Sequence, residues 1–161
     1  MTLDWHDIEG EMLIEGDYSR VLVQEAQRQV LLLSQWNLWI CDFDTLEVKH
    51  MLALDSVVVH SAQLDAAGQR LYIGTQYGNT LLTVDLHSLQ VLKTVLKTAC
   101  RSLKLSSNRQ HLYWLSSESM TLLSLEGKKP RATRQISFKG KERGWCLALS
   151  QIGRASCRER V

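Results

Sequence analysis

Five histidines are spread along the chain, at His6, His50, His60, His87 and His111, and none stands at metal-ligand spacing from another histidine or a cysteine. His60 precedes an apolar inner segment. Its imidazole reads as a hydrogen-bonded structural group ahead of a metal or proton role. His87 and His111 fall at turns and are expected in solvent. Acids recur at Asp42, Asp85 and Glu126. Such a series of carboxylates would suit cations, yet a side chain repeated in every unit is expected to build the fold. Asp readily accepts backbone N–H bonds in the turn that follows it. Trp39 and Trp114 lie within apolar strands and are expected in the core. Trp36 falls in a turn and Trp145 opens a strand, so these two are candidates for a contact surface. Lys128, Lys129, Arg131 and Arg134, with Lys139, Lys141 and Arg143 further on, form a basic patch suited to solvent or to a weakly held anionic partner. The signatures of a serine-hydrolase elbow, a zinc protease, a phosphate-binding loop and a dinucleotide fold are missing from the sequence. No catalytic residue, cofactor or metal is therefore assigned.

The elements that must carry these residues repeat. Val23, Leu64 and Leu105 each end a short strand and lie 41 residues apart. A polar turn follows each, then an apolar strand closed by a hydroxyl, at Ser34, Thr75 and Ser116. A third strand ends in an acid, and a more polar fourth strand completes the unit, over residues 47–54, 90–96 and 132–138. The first unit lacks two residues in the turn between its second and third strands. β-branched and aromatic residues fill the apolar runs, as strands require. Four short strands in about 40 residues is the size of one propeller blade. The expected fold is an all-β, partial β-propeller of about three four-stranded blades plus the first strand of a fourth, open rather than closed into a ring. The blades are expected at 19–54, 55–97 and 98–138, and the start of the fourth at 139–151. An N-terminal segment, 1–18, holds a candidate ring-closing strand at residues 11–15.

The second unit resembles a YVTN-type propeller repeat. Asp65-Ala66-Ala67-Gly68-Gln69-Arg70-Leu71-Tyr72-Ile73-Gly74-Thr75 is similar to that family's turn and second strand. Gly78-Asn79-Thr80 through Val84-Asp85-Leu86 is similar to its third strand, and Val91-Leu92-Lys93-Thr94-Val95 to its fourth. The resemblance covers one unit well and the other two in pattern, and it extends to WD-repeat-like propellers without their Gly-His and Trp-Asp pairs. It implies a fold, which hosts binders, scaffolds and enzymes alike. The expectation is a non-catalytic interaction module with a protein partner. The alternative is a lactonase- or quinoprotein-like enzyme or small-ligand binder with its site in the central channel.

Residues 152–161, Ile-Gly-Arg-Ala-Ser-Cys-Arg-Glu-Arg-Val, resemble a translated sequencing adapter and are set apart from the fold. The chain has 19 basic and 17 acidic residues, and three of the basic against one of the acidic lie in this tail. Without it the charges balance, which speaks against nucleic acid as a partner. Cys41, Cys100 and Cys146 show no zinc spacing or disulfide framework and are expected as buried thiols. With no signal peptide and no apolar run near 20 residues, a cytoplasmic location away from membranes is expected. The open blade edges are expected to invite self-association.

Overall fold

A computed structural model of the chain describes residues 18–54, 59–75, 78–138, 147–149 and 155–157. The first sheet comprises β1 (Tyr18–Gln24), β2 (Gln29–Ser34), β3 (Asn37–Asp42) and β4 (Val48–Ala53). The second comprises β5 (Val59–Asp65), β6 (Arg70–Thr75), β7 (Thr80–Asp85) and β8 (Gln90–Val95). The third comprises β9 (Ser102–Leu105), β10 (His111–Leu115), β11 (Ser119–Ser124) and β12 (Arg131–Ser137). In each sheet the strands pair antiparallel in chain order, a four-stranded meander. The first sheet falls in one compact unit and the other two in a second. Among the described residues the one helical element is the short 3-10 turn Glu25–Gln27, and no helix is long and apolar enough to cross a membrane.

The fourth start appears as β13 (Leu147–Leu149), which lies beside β9. It pairs with β14 (Ala155–Cys157), so this short hairpin extends into the ten-residue segment that the sequence sets apart. The N-terminal residues 11–15, Trp145, Lys141 and Arg143 lie outside the described residues.

Alternation explains each sheet's two faces. Residues directly opposite on neighbouring strands share a face. The register places Ser61, Gly74, Leu81 and Thr94 in one row of the second sheet, and Gln63, Tyr72, Thr83 and Leu92 in the next. This face meets the third sheet: Tyr72 and Leu81 share a core with Leu103, Leu112, Trp114, Leu123 and the preceding Cys100. Trp114 is fully buried, and its indole N–H donates to the Thr98 carbonyl at 3.1 Å. Each such buried apolar side chain contributes about 1.5–3 kcal/mol. The middle strands β6 and β7 are buried on both faces, so they read as near-continuous apolar runs. β12, at the outer edge, is exposed along its whole length.

The inner strands of these two sheets are also stitched together by polar groups. The Leu103 N–H donates to Ser61 Oγ at 3.2 Å, and the Leu105 N–H to Gln63 Oε1 at 3.4 Å. Arg109 Nη1 reaches Asp65 Oδ1 at 3.2 Å, where the carboxylate is almost fully buried. These bonds matter because a buried backbone N–H without an acceptor is costly.

The repeated acid requires one correction. Arg70 faces Asp85 and Gln29 faces Asp42, but the matching residue His111 faces Ser124, not Glu126. The span from His111 to Ser124 is two residues shorter than that from Arg70 to Asp85. A constant 41-residue step therefore overshoots the true counterpart by two. Asp42 and Asp85 do cap their turns as expected. Asp42 Oδ1 accepts the N–H groups of Asp44 (2.9 Å) and Thr45 (3.1 Å), and Asp85 Oδ1 those of His87 (2.9 Å) and Ser88 (2.8 Å). In the third sheet Ser124 Oγ accepts the Glu126 N–H at 3.4 Å.

Candidate interaction surface

The hydroxyls that close the second strands bond across the turn that follows, in one pattern in the first and third sheets and across a longer turn in the second. Ser34 Oγ donates to the Asn37 carbonyl (3.1 Å) and accepts the N–H groups of Trp36 (3.3 Å) and Asn37 (3.0 Å). Ser116 Oγ donates to the Ser119 carbonyl (3.0 Å) and accepts from the N–H groups of Glu118 (3.2 Å) and Ser119 (2.9 Å). Thr75 Oγ1 lies 3.0 Å from the carbonyls of both Gly78 and Thr80. The chain returning from each fourth strand clamps the same turn. The N–H of Leu54 donates to the Trp36 carbonyl (2.7 Å), that of Leu96 to Asn79 (2.6 Å) and that of Phe138 to Glu118 (2.7 Å). The backbone at Trp36 and Glu118 is thus fixed from two sides, and the Asn79 carbonyl is clamped in the same way.

Trp36 remains 56% exposed on this fixed turn. A large, rigid aromatic on an immobile backbone loses little conformational freedom when it is covered, which suits a contact anchor. Trp114 is buried as expected, whereas Trp39 is only half-buried. Trp39 shares a row with Val21, Leu32 and Met51, on a face of the first sheet that is not fully covered.

Lys128 and Arg131 are exposed at the turn between β11 and β12, with Lys129 beside them and Arg134 farther along β12. The turn is held by the Leu125 N–H on the Gln110 carbonyl (2.9 Å) and by Arg70 Nη1 on the Gly127 carbonyl (3.3 Å). Gly127 has φ +89°, a conformation that glycine adopts without strain. Lys128 and Arg131 therefore share one turn, while Trp36 belongs to the other compact unit.

The fold perturbs two turn-capping acids and two thiols. The Lys49 ammonium, 2.6 Å from Asp42, and the N–H groups of Thr45 and Asp44 hold the Asp42 carboxyl well below the usual carboxylate range. The Ser88 N–H, seconded by that of His87, lowers Asp85. Burial pushes the Cys100 thiol up to about 12 and raises Cys41 as well. His87 is exposed, and His111 is half-buried at the start of β10. Among the described residues no cluster of three or more His, Cys, Asp or Glu side chains converges to hold a metal ion.

No protein-family model matches the sequence, and no curated protein does. Solved structures do match the fold. Hydrazine synthase from Kuenenia stuttgartiensis superposes with a TM-score of 0.71 at 15% identity, covering 91% of this chain and 43% of that one. The β-propeller domain of Cps50 (Swd1) from Myceliophteria thermophila gives 0.64 at 14% identity, covering 77% and 40%. A chain of the mitotic checkpoint complex gives 0.71 at 13%, covering 88% and 46%. The chain is an open part of a β-propeller. It spans less than half the length of each of these neighbours, two of which carry propellers of the WD type.

Proposed function

We propose that this partial propeller is a non-catalytic interaction module that binds a protein partner. The exposed Trp36 on its doubly fixed turn carries the reading. The fold alone does not choose between roles, because neighbours of the same architecture include an enzyme and a component of a multi-protein complex. The basic turn at Lys128 and Arg131 is a secondary contact with acidic groups, where exposed charges raise the association rate more than the affinity. Trp145, Lys141 and Arg143, which lie outside the described residues, are proposed as further partner contacts.

The test is capture of partners on the immobilised chain, with Trp36→Ala and Lys128→Ala/Arg131→Ala as parallel baits. A buried aromatic anchor is worth about 2 kcal/mol or more, so Trp36→Ala should weaken the specific partner roughly thirtyfold or more. The double basic substitution should chiefly make binding less sensitive to salt. If every protein recovered binds wild type and Trp36→Ala equally, the proposal fails.

A further inference from the structure

β12 (Arg131–Ser137) ends the strand order of the third sheet, and every one of its residues is exposed. The outer strands of the other two sheets are partly covered, and Lys49 on β4 is already paired with Asp42. An edge strand carries main-chain donors and acceptors that no neighbour uses. The Phe138 N–H donates to the Glu118 carbonyl at 2.7 Å and so points toward β11. Inward and outward main-chain groups alternate in an antiparallel pair, so Gln135 and Ser137 turn theirs away from the sheet.

A bulge arranges the charges on this strand. In a regular strand, residues three apart point to opposite faces. Here the register shifts between Leu122 and Leu123, so Arg134 lies opposite Leu122 and Arg131 opposite Ser124. Leu122 and Ser124 are two apart on β11 and share a face. The bulge thereby brings Arg131 and Arg134 onto one face, and Thr133 Oγ1 within it donates to the Leu122 carbonyl at 3.2 Å. Lys128 and Lys129 precede them at the turn, and the stretch 127–138 holds no acid. Among the described residues no acid pairs with these four cations.

We propose that β12 takes an acidic, extended segment of another protein as a fifth strand, with carboxylates of that segment on Arg131 and Arg134. Strand addition of this kind draws affinity from main-chain hydrogen bonds and specificity from alternate side chains. The cations of the edge fit carboxylates, and its main chain fits a peptide ahead of a nucleic acid. The edge presents N–H donors and carbonyl acceptors together, whereas a phosphodiester backbone returns only acceptors. The second and third sheets meet face to face, and such packing leaves the outer edge of a sheet free. Strand addition rests on the partner reading only at its secondary contact, the turn at Lys128 and Arg131, and needs nothing of Trp36.

The test is fluorescence anisotropy with a labelled peptide of about eight residues, glutamate alternating with valine and threonine. The full chain should bind it at about 100 μM in low salt. Arg131→Ala/Arg134→Ala should weaken binding about tenfold through the loss of two exposed ion pairs. Both residues are exposed, so the variant keeps its folded sheet. Methylation of the peptide's amide nitrogens at alternate residues separates strand pairing from charge. One alternate set faces β12, and its methylation should abolish binding, while methylation of the other set should leave it near that of the parent peptide. An oligothymidylate of equal charge should bind about tenfold more weakly or worse. No peptide binding at about 1 mM, equal affinity of the two methylated peptides, or an oligothymidylate that binds as tightly as the peptide overturns the proposal. Trp36→Ala should bind the peptide like wild type. Peptide binding without any Trp36-dependent partner removes the main contact of the partner reading alone. A Trp36-dependent partner without peptide binding removes strand addition alone.

Discussion

A methyl group added at Gly74 tests the sheet-to-sheet joint directly. Gly74 sits in the middle of the joint, at the slot that holds Leu33 in the first sheet and Leu115 in the third. A β-carbon there would overlap Cys100 Sγ, lie 3.1 Å from Cys100 Cβ and lie 3.6 Å from Trp114 Cζ3. Cys100 is 1% exposed and Trp114 fully buried, so neither can swing into solvent. Overpacking of this kind costs about 1–3 kcal/mol. Replacing a strand glycine returns about 0.5–1 kcal/mol through reduced backbone freedom. Gly74→Ala should therefore lose about 1–2 kcal/mol. Cys100→Ala alone should lose about 1 kcal/mol for the void left by the sulfur. Together they should be non-additive, because the new methyl enters the space that the sulfur vacates. The double variant should be more stable than Gly74→Ala, with a coupling of about 1–2 kcal/mol. Urea unfolding followed by tryptophan fluorescence at low protein concentration measures all four corners of the cycle. Strictly additive losses, or a Gly74→Ala midpoint equal to wild type, would refute the packing described for this joint.

Three further outcomes follow from the turns and the core. Ser116→Ala removes a buried hydroxyl that holds Glu118 and Ser119, and it should cost about 1–3 kcal/mol in the same unfolding assay. Thr83→Val should stabilise by about 1 kcal/mol, because Thr83 Oγ1 is buried without a hydrogen-bond partner at a slot that Ile40 and Leu122 fill with hydrocarbon. Asp42 and Asp85 have carboxyl pKa values lowered by folding, so their stabilisation is complete above the unfolded value near pH 4 and is lost as the pH falls through the folded values. Carbon-detected NMR titration should place both below the ordinary range, and Asp85→Asn should flatten the acid limb of stability against pH.

The periodicity made the strands legible, because a strand's signal is local: alternation, β-branched residues and the turn beside it. The hydroxyl turn was legible for the same reason, since Ser34, Thr75 and Ser116 keep a constant step. The step failed at Glu126, where a span two residues shorter than its counterpart shifted the capping position to Ser124. Contacts between sheets were not legible. Gly74 looks like a weak strand residue until Cys100 and Trp114 are seen across from it, and Trp39 looks like core until its row proves partly open. Charge placement was easier than charge use: Lys128 and Arg131 are exposed, as a turn rich in lysine suggests, but the grip of Arg70 on that turn spans 57 residues of sequence.

The recurring turn also separates scaffold from function within one molecule. At this slot the clamped carbonyl recurs in all three sheets while the side chain varies, and in the second sheet Asn79 Nδ2 itself donates to the Leu96 carbonyl. A tryptophan held more than half in water at such a place contributes little to the core, since most of its apolar area stays exposed. Exchanging the slots makes this measurable. Trp36→Glu gives the first sheet the residue of the third, and Glu118→Trp does the reverse. Both variants should unfold within about 0.5 kcal/mol of wild type, as surface substitutions do. Trp36→Glu should nevertheless lose the partner, because it removes the aromatic anchor and would bury an uncompensated carboxylate in the contact. A loss of stability comparable to that of Ser116→Ala would show instead that the Trp36 indole is part of the scaffold, and the contact surface would have to be sought elsewhere.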